Sequence, residues 1–166
     1  MTSVAFADMR ISKVVGIAAG GDEATYCAVL EEVGGMRVLP IEIGWAEAFD
    51  LHRALDGRAL GRPIAADFAA RLVHALGGAV RQVRIDRVVD GAYAATVEIA
   101  GPHGTASVDA RSSDALNLAA RAHAPVAAAP AVLADAAERR SGDGAEAALL
   151  RQALVVPGLI IRRAPG

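Results

Sequence analysis

One cysteine, Cys27, stands in 166 residues. No internal disulfide can form, and a reduced cytoplasmic setting is expected. Aromatics make up only 4% of the chain, which leaves few rings for stacking on bases. Lys13 is the sole lysine, so almost every cation is arginine. That bias reads first as codon composition, although an arginine fork also binds phosphate bidentately. No apolar run reaches the length of a membrane span. The first residues lack the charged-then-apolar pattern of a secretory signal. There is no Gly-rich phosphate loop, no CxxC pair, no His-rich metal spacing and no internal repeat. Neither sign of charge dominates: 17 Lys and Arg face 19 Asp and Glu. Such a balance exerts no global pull on nucleic acid, so any contact with it needs a local basic patch.

What the chain does have is apolar residues, 54% of the total, many of them alanine. The length suits one domain with a tail and a real core. Residues 9–17 alternate enough for a strand, and residues 18–23, with Gly20-Gly21-Asp22, read as a loop. Residues 25–30 and 36–43 form a hairpin around Gly34-Gly35. Cys27 within it is most simply a small buried residue. Residues 45–55 read as a helix stopped by Gly57, and His52 on it reads as an ordinary surface or half-buried residue rather than a ligand. Residues 58–63 are a linker. Residues 64–76 are a second helix carrying Phe68, Leu72, Val73 and Leu76 inward. Residues 80–89, 93–100 and 105–110 form a meander, with Asp90-Gly91 as its clearest turn. Residues 124–128 suit a short strand, Pro130 opens a helix over 131–139, and residues 145–154 suit another. The apolar stretch 154–161 is expected to dock on the body or on a second subunit.

The most informative stretch is residues 108–123. A strand runs into Arg111-Ser112-Ser113-Asp114, and then Ala115, Leu116, Leu118, Ala119 and Ala122 follow at helical spacing. Ser112 or Ser113 is the expected N-cap. The corner crowds Asp109, Arg111, Ser113 and Asp114 into six residues beside a helix start. The plain reading is capping and dipole complementarity. The sharper reading is a site for phosphate or, through the carboxylates, for a hard divalent metal.

Three segments carry a resemblance. They are Val38-Leu39-Pro40-Ile41-Glu42-Ile43-Gly44 with Glu47-Ala48, Gly61-Arg62-Pro63 leading to Asp67, and Val108-Asp109-Ala110-Arg111-Ser112-Ser113-Asp114-Ala115. In their order and spacing the chain resembles the bacterial bifunctional nuclease family over residues 9–136, with residues 137–166 as linker and C-terminal extension. The resemblance implies an α+β fold, with a mainly antiparallel sheet, flanking helices and a wedge-shaped homodimer. It also implies cleavage of DNA and RNA. Carried over by position, Glu47, Asp67, Asp109 and Asp114 become the catalytic candidates, and Arg62, Arg111 and Ser113 the substrate-binding ones. Phosphodiester hydrolysis needs an activated water and a neutralised phosphate, and by that chemistry Asp109 and Asp114, with Asp67 or Glu47 as a further donor, are the candidate ligands of Mg²⁺ or Mn²⁺. Two departures stand out. Ala65-Ala66 precede Asp67 where the family has Thr-His, and Ser112 replaces a proline.

A metal-assisted nuclease is therefore the leading expectation. The alternative is a non-catalytic dimeric binding or scaffold domain that has lost the family histidine. A third reading is an anion-binding regulator using the Ser112–Asp114 helix start.

Overall fold

Left-handed glycines, Gly57 (φ 66°) and Gly77 (φ 75°), follow the first two helices, and His123 (φ 51°) ends the third. The computed structural model describes residues 5–18, 24–59 and 61–158. Among these residues, the strands are β1 (Ala7–Ala18), β2 (Ala24–Glu32), β3 (Val38–Ile43), β4 (Ala79–Val89), β5 (Ala92–Gly101), β6 (Gly104–Arg111) and β7 (Val126–Ala128). The helices are α1 (Trp45–Leu55), α2 (Ala65–Ala75), α3 (Ser112–Ala122), α4 (Pro130–Ser141) and α5 (Ala145–Val155). The expected loop with Gly20-Gly21-Asp22, and the tail from residue 159 on, lie outside the described residues.

The strands form one sheet in the order β3-β2-β1-β7-β4-β5-β6. Every pairing is antiparallel except β4 with β7, so the fold is α+β as expected. The three-residue β7 joins two antiparallel meanders. The chain leaves the edge strand β6, crosses the sheet as α3, and returns at the centre as β7. One end of α3 therefore lies at the sheet edge and the other over its middle. Asp90 (φ 49°) and Gly91 (φ 79°) make the tight β4–β5 turn, with both φ positive as a type I′ turn requires.

Both faces of β1 and β2 are covered. Val14, Ala28 and Leu30 belong to the main core, with Ala48 and Leu51 of α1, Leu116 of α3 and Val132 of α4. Val15, Ile17, Cys27 and Val29 form a second cluster with Ala153 of α5. This explains the unbroken apolar run 27–30: a strand buried on both faces does not alternate. Burial pushes the Cys27 thiol up to about 12, helped by the Glu42 charge. Lys13 Nζ ties down the end of α5 by donating to the carbonyls of Leu154 (3.0 Å) and Val156 (2.8 Å). The first part of the apolar tail thus docks on β1.

The structure corrects two expectations. Phe68, Leu72 and Leu76 do not point inward; they are 61%, 47% and 71% exposed. The half-buried residues of α2 include Ala66, Ala70 and Val73, whose small side chains allow close approach to α3. The periodicity was real, but this helix carries two apolar faces and rests on the smaller one. The second correction is the N-cap of α3, which is Arg111, with no side-chain cap bond. Ser112 and Ser113 are already helical and buried.

Candidate functional site

Arg111 leaves β6 just as α3 begins, and its guanidinium bridges two helices. Nε donates to Asp114 Oδ2 (2.8 Å) and Nη2 to Asp114 Oδ1 (3.0 Å). Nη2 also donates to Glu47 Oε1 on α1 (3.1 Å). Asp114 holds the Arg111 pKa above its ordinary value. Glu47 reaches this point because Gly44 before α1 has no side chain. A methyl there would crowd Glu47 Oε2.

Asp109, two residues earlier on β6, pairs instead with Arg87 of β4. Arg87 also holds Asp86 (2.6 Å), which accepts from Thr96 Oγ1 (2.6 Å). Glu47, Arg87, Asp109 and Arg111 line one cleft of about 830 Å³, together with Ser112, Ser113, Tyr93 and Arg139. Neither serine hydroxyl donates to or accepts from a partner among the described residues. Deeper along the same wall, Tyr93 Oη donates to Asp135 Oδ2 (2.9 Å), and Arg139 covers the tyrosine ring. Burial, followed by that bond to Asp135, pushes the Tyr93 hydroxyl up. Glu42, Glu47, Asp109 and Glu146 face Arg87, Arg111 and Arg139 here, so the cleft is not basic overall.

The structure does not gather all the candidates at one point. Glu47, Asp109, Arg111 and Ser113 line the cleft, and Asp114 stands at its rim on Arg111. Asp67 lies elsewhere. Its Oδ1 accepts from Arg121 Nε (2.8 Å) and its Oδ2 from the Ile64 N–H (3.1 Å). Arg121 follows Asp114 by seven residues on α3, a rise of about 10 Å. Arg62 is exposed and has no hydrogen-bond partner among the described residues.

Between the two places sits Asn117, which the sequence reading passed over. It is only 4% exposed. Its Nδ2 donates to the carbonyls of Glu47 (3.0 Å) and Ser113 (3.1 Å), and its Oδ1 accepts from Arg121 Nη1 (2.9 Å). Ser113, Asn117 and Arg121 recur every four residues, so they share one face of α3. That polar spacing was the available signal for Asn117 and Arg121. Arg87 had none, because its partners come from other strands.

A metal-assisted step is expected to place a divalent cation on Asp109 and Asp114. Each of these carboxylates is engaged by a different arginine. Among the described residues, no three His, Cys, Asp or Glu side chains converge on one point. A hard cation needs several oxygens, and guanidiniums already hold these two, so the donor set as arranged does not fit a protein-held cation.

Among the described residues no helix is long and apolar enough to cross a membrane. Uncharacterised proteins from two strains of Mycobacterium tuberculosis are each 33% identical to this chain over 124 residues, covering 75% of it and 74% of theirs. The model of the bifunctional nuclease domain matches residues 28–141, from within β2 to the end of α4. That match takes in the whole Glu47–Arg111–Asp114 corner and the sheet behind it, and the chain belongs to the bifunctional nuclease domain family.

Proposed function

We propose that this protein is a nuclease that cleaves the phosphodiester backbone of DNA and RNA at the Arg111 corner. One observation carries the reading: the exposed Arg111 guanidinium is clamped by carboxylates from two helices. Its Nη1 has no partner among the described residues. A guanidinium held this way meets a phosphate with little loss of side-chain freedom. Family membership supports nucleic acid as the substrate class.

In this reading Arg111 neutralises the phosphate, with Arg87 next along the wall. Glu47 takes a proton from the attacking water. The water oxygen bonds to phosphorus, the bond to the leaving sugar oxygen breaks, and that oxygen is protonated from solvent. The Ser112 and Ser113 hydroxyls offer hydrogen bonds to phosphate oxygens. Contacts to backbone rather than base edges account for use of both DNA and RNA. Asp67 and Arg62 take no part in the step.

A second reading, a non-catalytic binding or scaffold domain, is favoured by a specific observation. Glu47, Asp67, Asp109 and Asp114 are all paired with arginine, and Ala66 stands where the family has histidine. We also propose that the protein is a homodimer, with the apolar stripe of α2 in the interface.

Labelled single- and double-stranded DNA and RNA test the nuclease reading. Wild type, Arg111→Ala and Glu47→Gln are purified identically and assayed with Mg²⁺, Mn²⁺ or EDTA. Wild type is expected to cleave. Each variant is expected to fold and lose about a hundredfold or more in rate. Equal cleavage by all three places the activity elsewhere. Binding without cleavage by wild type leaves the scaffold reading standing.

A further inference from the structure

Beyond Asn117, at the other end of the contact between α1 and α3, lies a second pocket of about 320 Å³. Its charge is unlike that of the first. Arg53, Arg58, Arg71 and Arg121 line it, with His123, against the single carboxylate of Asp67. Asp67 has both oxygens engaged, by Arg121 and by the Ile64 N–H. The Asp50 charge acts on Arg53 and Arg121, and Arg58 and Arg71 are poorly neutralised. Arg53 donates through Nη2 to the Ala59 carbonyl (3.1 Å), but its buried Nε has no acceptor. Among the described residues, Arg58 reaches only Asp56, at 3.6 Å. Arg71 has no hydrogen bond or ion pair among the described residues.

Local sequence explains this convergence. Gly57 (φ 66°) ends α1 in a left-handed turn. The Gly57 N–H bonds the Ala54 carbonyl, and the Arg58 N–H bonds the Arg53 carbonyl (2.9 Å), the Schellman pattern. That turn brings Arg58 back beside Arg53. Arg71 follows Asp67 by four residues, one turn along the same face of α2. Arg53 and Arg121 also lie in the last turns of α1 and α3, where the helix dipole favours a cation. Arg58 and Arg71 have no such structural duty.

We infer that this pocket binds a phosphate group, as inorganic phosphate or as the terminal phosphate of a nucleotide or nucleic-acid strand. Several guanidinium forks around one concavity match the oxygens of a phosphate dianion. The volume exceeds what a lone carboxylate needs and sits at the small end of ligand pockets.

The test is thermal unfolding and calorimetric titration with inorganic phosphate, against chloride at equal ionic strength. The proteins are wild type, Arg111→Ala and the double variant Arg58→Ala/Arg71→Ala, whose changed side chains are exposed. A ligand that binds only the native state raises the midpoint. Phosphate is expected to stabilise Arg111→Ala as well as wild type, because that change leaves this pocket intact. The double variant is expected to bind about tenfold more weakly for each guanidinium removed. Undiminished binding in the double variant, loss of binding in Arg111→Ala, or no stabilisation of wild type each overturns the inference. A 5′-phosphorylated dinucleotide and its 5′-hydroxyl form identify the source of the phosphate. A gain over inorganic phosphate that needs the 5′-phosphate, and is lost in the double variant, supports a strand end. Equal affinity for both phosphates supports free phosphate. The readout is binding, so it stands whether or not the protein cleaves nucleic acid.

Discussion

Replacing Asn117 by alanine removes three hydrogen bonds at once. Two run from Nδ2 to the carbonyls of Glu47 and Ser113, and the third joins Arg121 to Oδ1. The site is buried, so water does not readily take their place. A typical bond contributes about 1 kcal/mol net, somewhat more when one partner is charged, and the expected loss is about 3 kcal/mol. A domain of this length unfolds with an entropy of roughly 0.35 kcal/mol/K, so the melting midpoint should fall by about 9 °C. Circular dichroism melts and urea unfolding of wild type and Asn117→Ala read this directly. Asn117→Asp should be destabilised as well, because it keeps an acceptor for Arg121 but turns an oxygen toward two carbonyls. A fall of less than about 3 °C in Asn117→Ala, roughly 1 kcal/mol, would refute the view that this residue locks α3 to α1.

Cys27 makes a pH prediction. Its folded pKa lies above its unfolded one, so the fold favours the neutral thiol. That stabilisation is fully present below about pH 9 and is lost as pH rises toward about 12. The urea midpoint should drop between pH 8 and pH 10.5, and less so in Cys27→Ala; a thiol reagent at pH 8 should label the native protein far more slowly than the unfolded one. The α2 stripe makes an assembly prediction. Light scattering on the separated protein should give twice the chain mass for wild type and the single mass for Phe68→Asp/Leu72→Asp, and an unchanged dimer would remove α2 from the interface. Gly44→Ala should push the Glu47 carboxylate off Arg111, since the added methyl meets Oε2. If the nuclease reading holds, it should lower cleavage with little change in melting midpoint, because the exposed pair adds about 1 kcal/mol or less.

Local chemistry made much of this fold readable. Asp90-Gly91 announced a tight hairpin because few other residue pairs accept two positive φ angles. Gly57 and Pro130 marked a helix end and a helix start for equally local reasons. The Arg111 corner was visible because a strand, a turn and a helix start lie within a few consecutive residues. Asp114 could be linked to Arg111 by spacing alone. Glu47 entered through its place in a family pattern, and only the packing of α1 on α3 shows why it belongs there.

Other features depended on contacts between distant segments. Phe68, Leu72 and Leu76 have the spacing of a buried face, but Ala66, Ala70 and Val73 have it too. Which face is buried depends on the surface α3 offers, and α3 offers room for small residues. Arg87 and Asp109 are 22 residues apart in sequence and meet because β4, β5 and β6 lie side by side. Asp67 was grouped with the corner carboxylates by its place in the family pattern. The length of α3 separates them, because a helix carries its residues apart along its axis. The helices, the turns and the Arg111–Asp114 corner follow from backbone preferences over a few residues, so local sequence is enough to specify them. The separation of Asp67, in an arginine-lined pocket, from Glu47, Asp109, Arg111 and Ser113, in an acidic-edged cleft, follows instead from how α1, α2 and α3 pack across the sheet.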